Sequence, residues 1–177
     1  TWFGWIGVEL FFVISGYVIA RSALGSSPRQ FLRRRLLRLA PAAWICASIS
    51  AIVFLAAGLY GPRTILDRWS ASILFLPWMS QIDGSYWTLG IEMNFYLLVS
   101  ICLRFGGSRS LVGLARFLAF ASAAYWTFRL IEGSFAISSP FLHSMFLLPH
   151  GCFFALGMLI EHRARTSVAL PPVTSTV

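Results

Sequence analysis

The sequence predicts an all-α integral membrane protein whose chain crosses the bilayer five times. Of its 177 residues, 58% are hydrophobic and only 11% are charged, whereas a soluble domain has about 25% charged residues. The mean hydropathy is +0.76. Five windows have the roughly 20 apolar residues that a membrane-spanning helix needs: residues 2–20, 41–59, 85–103, 110–128 and 141–160.

Two segments outside these windows differ in composition from the rest of the chain. Residues 69–80 form an apolar run that is too short to span and contains Pro77, so we predict a re-entrant or interfacial segment. From Thr166 onward the chain is small, polar and proline-containing, a composition typical of disorder. The predicted organisation is a membrane domain over residues 1–165 and a disordered tail over residues 166–177.

The arginines predict the orientation. All 14 cationic residues are arginine, and 11 of them fall on one predicted side of the membrane, which the positive-inside rule makes cytoplasmic. These are Arg21, Arg29, Arg33, Arg34, Arg35, Arg38, Arg104, Arg109, Arg116, Arg163 and Arg165. The arginine-rich loop 21–38 and the C-terminus are therefore expected in the cytoplasm. Short basic caps between apolar runs favour lipid headgroups over nucleic acid as the partner of this +8 charge.

Two apolar runs each contain one carboxylate. Glu9 is the only acid in residues 2–20, and Glu92 is the only acid in residues 84–103. An ionisable group inside a spanning helix is costly, and it marks a functional site by default. With 1.5 Å of rise per residue, both are expected roughly 10–12 Å below the outer membrane surface.

The third predicted helix has a polar stripe. Ser85, Thr88, Glu92 and Tyr96 recur at i, i+3, i+7 and i+11, so they share one face. Such a face avoids lipid. It is either the wall of a polar cavity or a seam of interhelical hydrogen bonds.

No metal site is predicted. His143 and His150 lie seven residues apart without an acidic neighbour, and the three cysteines are isolated in apolar runs. Packing roles explain both groups more simply than ligation does. Gly16 is interpreted as a point of close helix packing.

Three segments resemble a known family. Residues 7–17 (GVELFFVISGY) and 86–96 (YWTLGIEMNFY) resemble two signatures of the acyltransferase 3 family of membrane O-acyltransferases. Residues 31–41 (FLRRRLLRLAP) resemble its cytoplasmic basic motif, here Arg35, Arg38 and Pro41. The order and spacing agree with the family over about residues 4–100.

The resemblance implies a fold and an activity. Family members have about ten membrane helices and transfer an acyl group, often acetyl, from cytoplasmic acyl-CoA to an outward-facing glycan such as lipopolysaccharide or exopolysaccharide. The expected location is the bacterial inner membrane. The family's first helix, with an arginine and a catalytic histidine, would precede Thr1, and later helices are also missing, so we expect an incomplete fragment. Glu9 stands where aspartate is commoner, and Met93-Asn94 follow Glu92 in place of Glu-Gln.

Site roles follow from this resemblance and from the residue chemistry. Glu92 is the first candidate for a catalytic role that is electrostatic or positions the acceptor, and Glu9 is the second. The alternative is that such an acid pairs with an arginine and only fixes helix packing. Arg35 and Arg38 are candidates for binding the acyl-CoA phosphates; alternatively, they rest on lipid headgroups.

The acceptor side has weaker candidates. Trp87, Tyr96, Ser85 and Thr88 are predicted to contact the glycan or a small hydroxylated acceptor, although Trp87 also suits the interfacial aromatic belt. Two rival functions remain. A transporter or flippase would use buried carboxylates as relay or substrate groups, and a truncated relic would have no activity.

Overall fold

The computed structural model describes residues 4–132 and 146–169, and every regular element among them is helical. Within these two ranges lie six α-helices: α1 Gly4–Ala23, α2 Pro28–Ala56, α3 Pro62–Ile73, α4 Tyr86–Gly106, α5 Ser110–Glu132 and α6 Gly151–Ala169. A single 3-10 turn, Gly107–Arg109, joins α4 to α5. The predicted all-α fold is confirmed.

Three helical stretches in the described part of the chain are long and apolar enough to cross a membrane: Trp5–Ala23, Pro28–Ala56 and Tyr86–Ile131. The third has 46 residues, more than twice the roughly 20 that one crossing needs. Gly107, with φ +61°, ends α4 in a conformation that favours glycine. α4 and α5 therefore form separate elements, as the windows 85–103 and 110–128 predict.

The second predicted window, residues 41–59, begins 13 residues after the helix does, and the prediction that the arginine-rich residues before it form a loop is wrong. α2 begins at Pro28, and Ser27 caps it by accepting a hydrogen bond from the Gln30 amide at 3.3 Å. Proline at the first helical position and serine at the cap are strong start signals. Only residues 24–27 are a loop, so all six arginines of 21–38 lie on helices. α2 continues through Pro41.

The last predicted helix is also displaced. Residues 146–150 form turns, and α6 runs from Gly151 through Glu161 to Ala169. The window 141–160 was set by hydropathy alone. It therefore excluded the charged residues after 160, which continue α6 to Ala169. Residues 141–145, with His143, lie outside the described residues. Residues 166–169 of the predicted tail belong to α6, and residues 170–177 are not described.

The helix ends that carry most of the arginines lie together at one end of the bundle. The Ser100 hydroxyl donates to the Pro28 carbonyl at 3.3 Å, so the start of α2 lies beside the end of α4. A crevice there is lined by Ala20 of α1, Ser108 of the 3-10 turn and Glu161 of α6. We call this the arginine-rich end. At the opposite, distal end, the Trp126 indole donates to the Pro149 carbonyl at 3.2 Å.

α1 and α6 are in close contact through two glycines. A Cβ at Gly16 would overlap the Phe154 carbonyl, and a Cβ at Gly157 would overlap the Val13 carbonyl. Backbones approach this closely only where small residues face each other. The ring of Phe154 then lies 4.8 Å from that of Phe12. The predicted packing role of Gly16 is confirmed.

α3 does not span; it packs on the second half of α2. The indole nitrogens of Trp44 and Trp69 donate to Ile73 O at 3.1 Å and Ser48 Oγ at 3.2 Å. The predicted re-entrant segment 69–80 consists of the end of α3 followed by turns. These turns return the chain to α4, and the Tyr86 hydroxyl donates to the Ala43 carbonyl at 2.8 Å.

Candidate functional site

Glu92 is buried in α4 and held by two hydroxyl groups. Its side chain accepts hydrogen bonds on Oε1 from Tyr96 OH at 2.7 Å and from Ser15 Oγ at 3.1 Å. Tyr96 lies one turn further along α4, whereas Ser15 comes from α1. The residue is 6% exposed, and among residues 4–132 and 146–169 no cation lies within salt-bridge distance of it. Both hydroxyls bond the same oxygen, which leaves Oε2 without such a partner in that part of the chain.

A cavity of about 300 Å³ opens beside this carboxyl group. We call it the carboxyl cavity. Its polar lining consists of Ser15, Arg35, Arg38, Glu92 and Tyr96, and apolar residues of α1, α2 and α4 form the rest. The volume is at the lower end of the roughly 300–1,000 Å³ that small-molecule sites occupy.

Arg35 connects the carboxyl cavity to the arginine-rich end. Its guanidinium donates to Ser22 Oγ and, at 3.5 Å, to the Val18 carbonyl. The same group lies 5.8 Å from the ring centroid of Tyr96, within the range of a cation–π contact. Because Tyr96 also bonds Glu92, one chain of contacts links the arginine to the buried acid.

A second, smaller groove continues from the carboxyl cavity toward the arginine-rich end. It has a volume of about 180 Å³ and is lined by Ser22, Ser26 and Phe31 together with three arginines. Those arginines are Arg34, Arg35 and Arg38, and the last two also line the carboxyl cavity. We call it the arginine groove. Several guanidinium groups and two hydroxyls around one groove suit a phosphate-bearing ligand.

Glu9 lies apart from this arrangement. It is partly buried on α1, and within the described ranges it has neither a hydrogen-bond nor a salt-bridge partner. The hydrogen bond from Ser15 places Glu92 at the level of Ser15 on α1. Ser15 follows Glu9 by six residues, which is about 9 Å of helix rise. The two acids therefore differ in depth, contrary to the equal depths expected from the sequence, and Glu9 does not line the carboxyl cavity.

The polar stripe of α4 divides into two parts. Glu92 and Tyr96 line the carboxyl cavity, whereas Ser85 and Thr88 do not. The Thr88 hydroxyl donates to the Ser85 carbonyl at 2.9 Å, within its own helix end. Ser85 in turn donates its amide to Asp83 Oδ1 at 2.8 Å.

Trp87 faces the distal end. Its ring lies 6.3 Å from that of Phe12 and 5.3 Å from that of His150. Trp87 also lines a separate depression at that end. His150 thus packs among aromatic rings, as the sequence suggested.

The sequence reasoning missed Ser15 as a site residue. Ser15 and Ser22 lie seven residues apart, so they share one face of α1. Both contact the site, Ser15 through Glu92 and Ser22 through Arg35. This pair of hydroxyls in an apolar helix was the signal that could have identified the face of α1 directed at the cavity.

The chain is similar in sequence to known proteins. A family model described as an acyltransferase domain matches residues 3–168 of the 177. The chain belongs to the acyltransferase 3 family. The three segments that resemble family motifs meet at the carboxyl cavity: Ser15 comes from the first, Arg35 and Arg38 from the second, and Glu92 and Tyr96 from the third.

Several curated proteins are similar to parts of the chain. It is 34% identical over 143 residues to the "Putative membrane-bound transacylase BcsY" of Komagataeibacter xylinus, covering 69% of this chain and 36% of that protein. It is 33% identical over 104 residues to the exopolysaccharide production protein ExoZ of Rhizobium meliloti, covering 52% and 32%. It is 32% identical over 123 residues to the Caenorhabditis elegans regulator of hypoxia-inducible factor 1, covering 55% and 23%.

These matches leave most of each relative uncovered. The chain spans about a quarter to a third of the length of the curated relatives it matches. No solved structure matches the chain.

Proposed function

We propose that this chain is part of a membrane-bound O-acyltransferase that moves an acyl group, acetyl first among them, from acyl-CoA to a hydroxyl of a cell-surface carbohydrate. The observation that supports this most is the carboxyl cavity, in which Glu92 and the pair Arg35 and Arg38 line one space. Family membership supports acyl transfer. The name of the relative ExoZ suggests a carbohydrate acceptor.

The acyl-CoA donor is proposed to enter from the arginine-rich end, which we place on the cytoplasmic side of a bacterial inner membrane. Its phosphates would bind in the arginine groove through charge-assisted hydrogen bonds. Because Arg35 and Arg38 line both spaces, a thioester that extends past them would arrive beside Glu92.

The chemistry requires an oriented hydroxyl. The hydroxyl oxygen attacks the thioester carbonyl carbon, the C–S bond breaks and CoA leaves as the thiolate, while the hydroxyl proton passes to a general base and from there to the CoA sulfur. In this proposal Glu92 Oε2, which Ser15 and Tyr96 leave unoccupied, accepts a hydrogen bond from that hydroxyl and positions it. The resemblance implies a histidine base on a helix outside this sequence.

The decisive test compares surface glycans from cells that express the complete gene product containing this chain. Three strains are needed: the wild type, a deletion, and Glu92→Gln. We expect an acyl mass increment in the wild type that is absent from both other strains. Glutamine keeps a carbonyl oxygen for the two hydroxyl donors, so the variant should fold.

Immunoblots of the membrane fraction control for equal protein levels. Identical glycan mass spectra from the wild type and the deletion would contradict the proposed acyl transfer, and a transporter or an inactive protein would give that result. Loss of the increment in the deletion but not in Glu92→Gln would leave acyl transfer standing and remove Glu92 from the mechanism.

A further inference from the structure

A second depression lies at the distal end, away from both the carboxyl cavity and the arginine groove. It has a volume of about 450 Å³ and lies between the end of α2, α3 and the segment that leads into α4. We call it the distal hollow. Its polar and aromatic lining includes Tyr60, Arg68, Gln81, Asp83 and Trp87.

The segment that forms one wall of the distal hollow is firmly held. The amide of buried Ile82 donates to the Ser72 hydroxyl at 2.9 Å, and Ser72 itself is 1% exposed. Asp83 Oδ1 accepts the Ser85 amide at 2.8 Å at the start of α4. Gln81 and Asp83 therefore extend from a fixed backbone, and such pre-organisation reduces the ordering cost of binding.

The side chains of the distal hollow provide both donors and acceptors. The Arg68 guanidinium lies 4.3 Å from the ring centroid of Tyr60, which fixes its planar set of donors. Gln81 donates from Nε2 to the Leu76 carbonyl at 3.1 Å. Its buried Oε1 has no hydrogen-bond partner among the residues the structure describes, so it lacks the donor that a buried acceptor normally has.

This combination suits a sugar ring. A pyranose presents an apolar C–H face, which packs on aromatic rings such as Trp87 and Tyr60, and a rim of hydroxyls that both donate and accept hydrogen bonds. Arginine supplies donors, aspartate supplies acceptors and glutamine supplies both. Aromatic walls with a few placed polar groups are typical of small-molecule sites.

We propose that the distal hollow is a subsite for a sugar residue that neighbours the acylated one in an oligosaccharide acceptor. This inference rests on the proposed function. Trp87 and Glu92 lie on the same helix, five residues apart, which is about 7.5 Å of axial rise and roughly 140° of rotation around the helix axis. A single sugar bound beside Glu92 does not occupy the distal hollow, so only an acceptor long enough to extend around α4 would contact both places.

The test uses acceptors of two lengths with the complete protein in detergent. Unacylated surface polysaccharide from the deletion strain is cut to oligosaccharides and to monosaccharides. In Arg68→Gln and Gln81→Ala we expect the oligosaccharide KM to rise about tenfold, the effect of losing a good hydrogen bond. The KM values for monosaccharides and for acyl-CoA should stay as in the wild type. Arg63→Gln is the matched control, because Arg63 is exposed on the same helix α3 but does not line the distal hollow.

Binding is measured separately by saturation-transfer NMR with the same oligosaccharides. Signal lost in Arg68→Gln and Gln81→Ala but retained in Arg63→Gln supports the subsite, even if the wild type shows no acyl transfer. Unchanged KM and unchanged binding in both variants would overturn the subsite while a transferring wild type upholds the proposed function. An equal rise for monosaccharides and oligosaccharides would also overturn it, since the effect would then not depend on the neighbouring sugar.

Discussion

The two faces of α1 differ in what they pack against. On one face, Gly16 brings the backbone of α1 against Phe154 of α6 with no room for a side chain. On the other face, Ser15 reaches the Glu92 carboxyl group and the carboxyl cavity opens beside it. Adjacent residues of one helix thus separate a tight contact from an open space.

This difference explains why two acids that look equivalent in the sequence are not. Glu9 precedes Gly16 by seven residues and so lies on the α6 side of α1. Glu92 is on α4, faces Ser15, and shares its cavity with two arginines. A lone acid in an apolar helix is a functional candidate, but the neighbouring helix decides which such acid meets a ligand.

The largest expected effect separates these two acids. In membranes that contain equal amounts of protein, Glu92→Gln should lower the acyl-transfer rate by about 10²-fold, because the reacting hydroxyl loses the group that positions it. Glu9→Gln should change it by about twofold or less, as expected for a site outside the cavity. Initial rates with radiolabelled acyl-CoA measure both. Equal losses in the two variants would show that the acids act together, contrary to the geometry.

The next largest expected effect is on the KM for acyl-CoA and comes from the arginine groove. Arg38 lines both the groove and the carboxyl cavity, whereas Arg33, also exposed on α2, lines neither. Arg38→Gln should raise the KM for acyl-CoA about tenfold or more, since a charge-assisted bond to phosphate is lost. Arg33→Gln removes the same charge from the same helix and should leave that KM unchanged. Similar shifts in both would indicate that general charge at this end, rather than a defined phosphate site, attracts the donor.

Substitutions on the face of α1 that packs against α6 should change the stability of the protein and leave its KM values unchanged. Gly16→Ala puts a methyl group onto the Phe154 carbonyl, and such overpacking costs about 1–3 kcal/mol. Gly7→Ala on the same helix meets nothing within 4 Å, so it should be neutral or mildly stabilising because alanine favours helix. Thermal unfolding of the detergent-solubilised protein compares them. If both variants melted at the wild-type temperature, the close contact of α1 with α6 would be wrong.

How much the sequence could predict depends on the kind of pattern. Hydropathy located α1, α4 and α5 well, because each is an uninterrupted apolar run that ends near a glycine or an arginine cap. It failed for α2 and α6, whose charged turns continue the helix past the apolar window: Pro28 and Ser27 start α2 among arginines, and α6 runs on past Glu161. For α2 the capping residues carried that information, and hydropathy does not count them.

The site could be predicted only in part, for a related reason. The apolar runs singled out both Glu92 and Glu9, and the resemblance singled out Arg35 and Arg38, but the cavity that Glu92 shares with the two arginines depends on how α1, α2 and α4 pack. Periodicity grouped Ser85 and Thr88 with Glu92 because all lie on one helical face. The structure divides that face by depth, since the hydroxyl of Thr88 bonds its own helix end.

The smallest effect concerns the hydroxyls that hold Glu92. Ser15→Ala and Tyr96→Phe each remove one donor to Oε1, and each should lower kcat about three- to tenfold, the effect of one hydrogen bond. The KM for acyl-CoA should not change in Ser15→Ala, because Ser15 does not line the arginine groove. Thr88→Val is the matched control: it removes a hydroxyl that bonds only its own helix end, so its kcat should equal the wild-type value. A Thr88→Val defect as large as that of Ser15→Ala would restore the whole polar stripe as the substrate-facing wall, and the distinction between the depths of Thr88 and Glu92 on α4 would then lose its functional meaning.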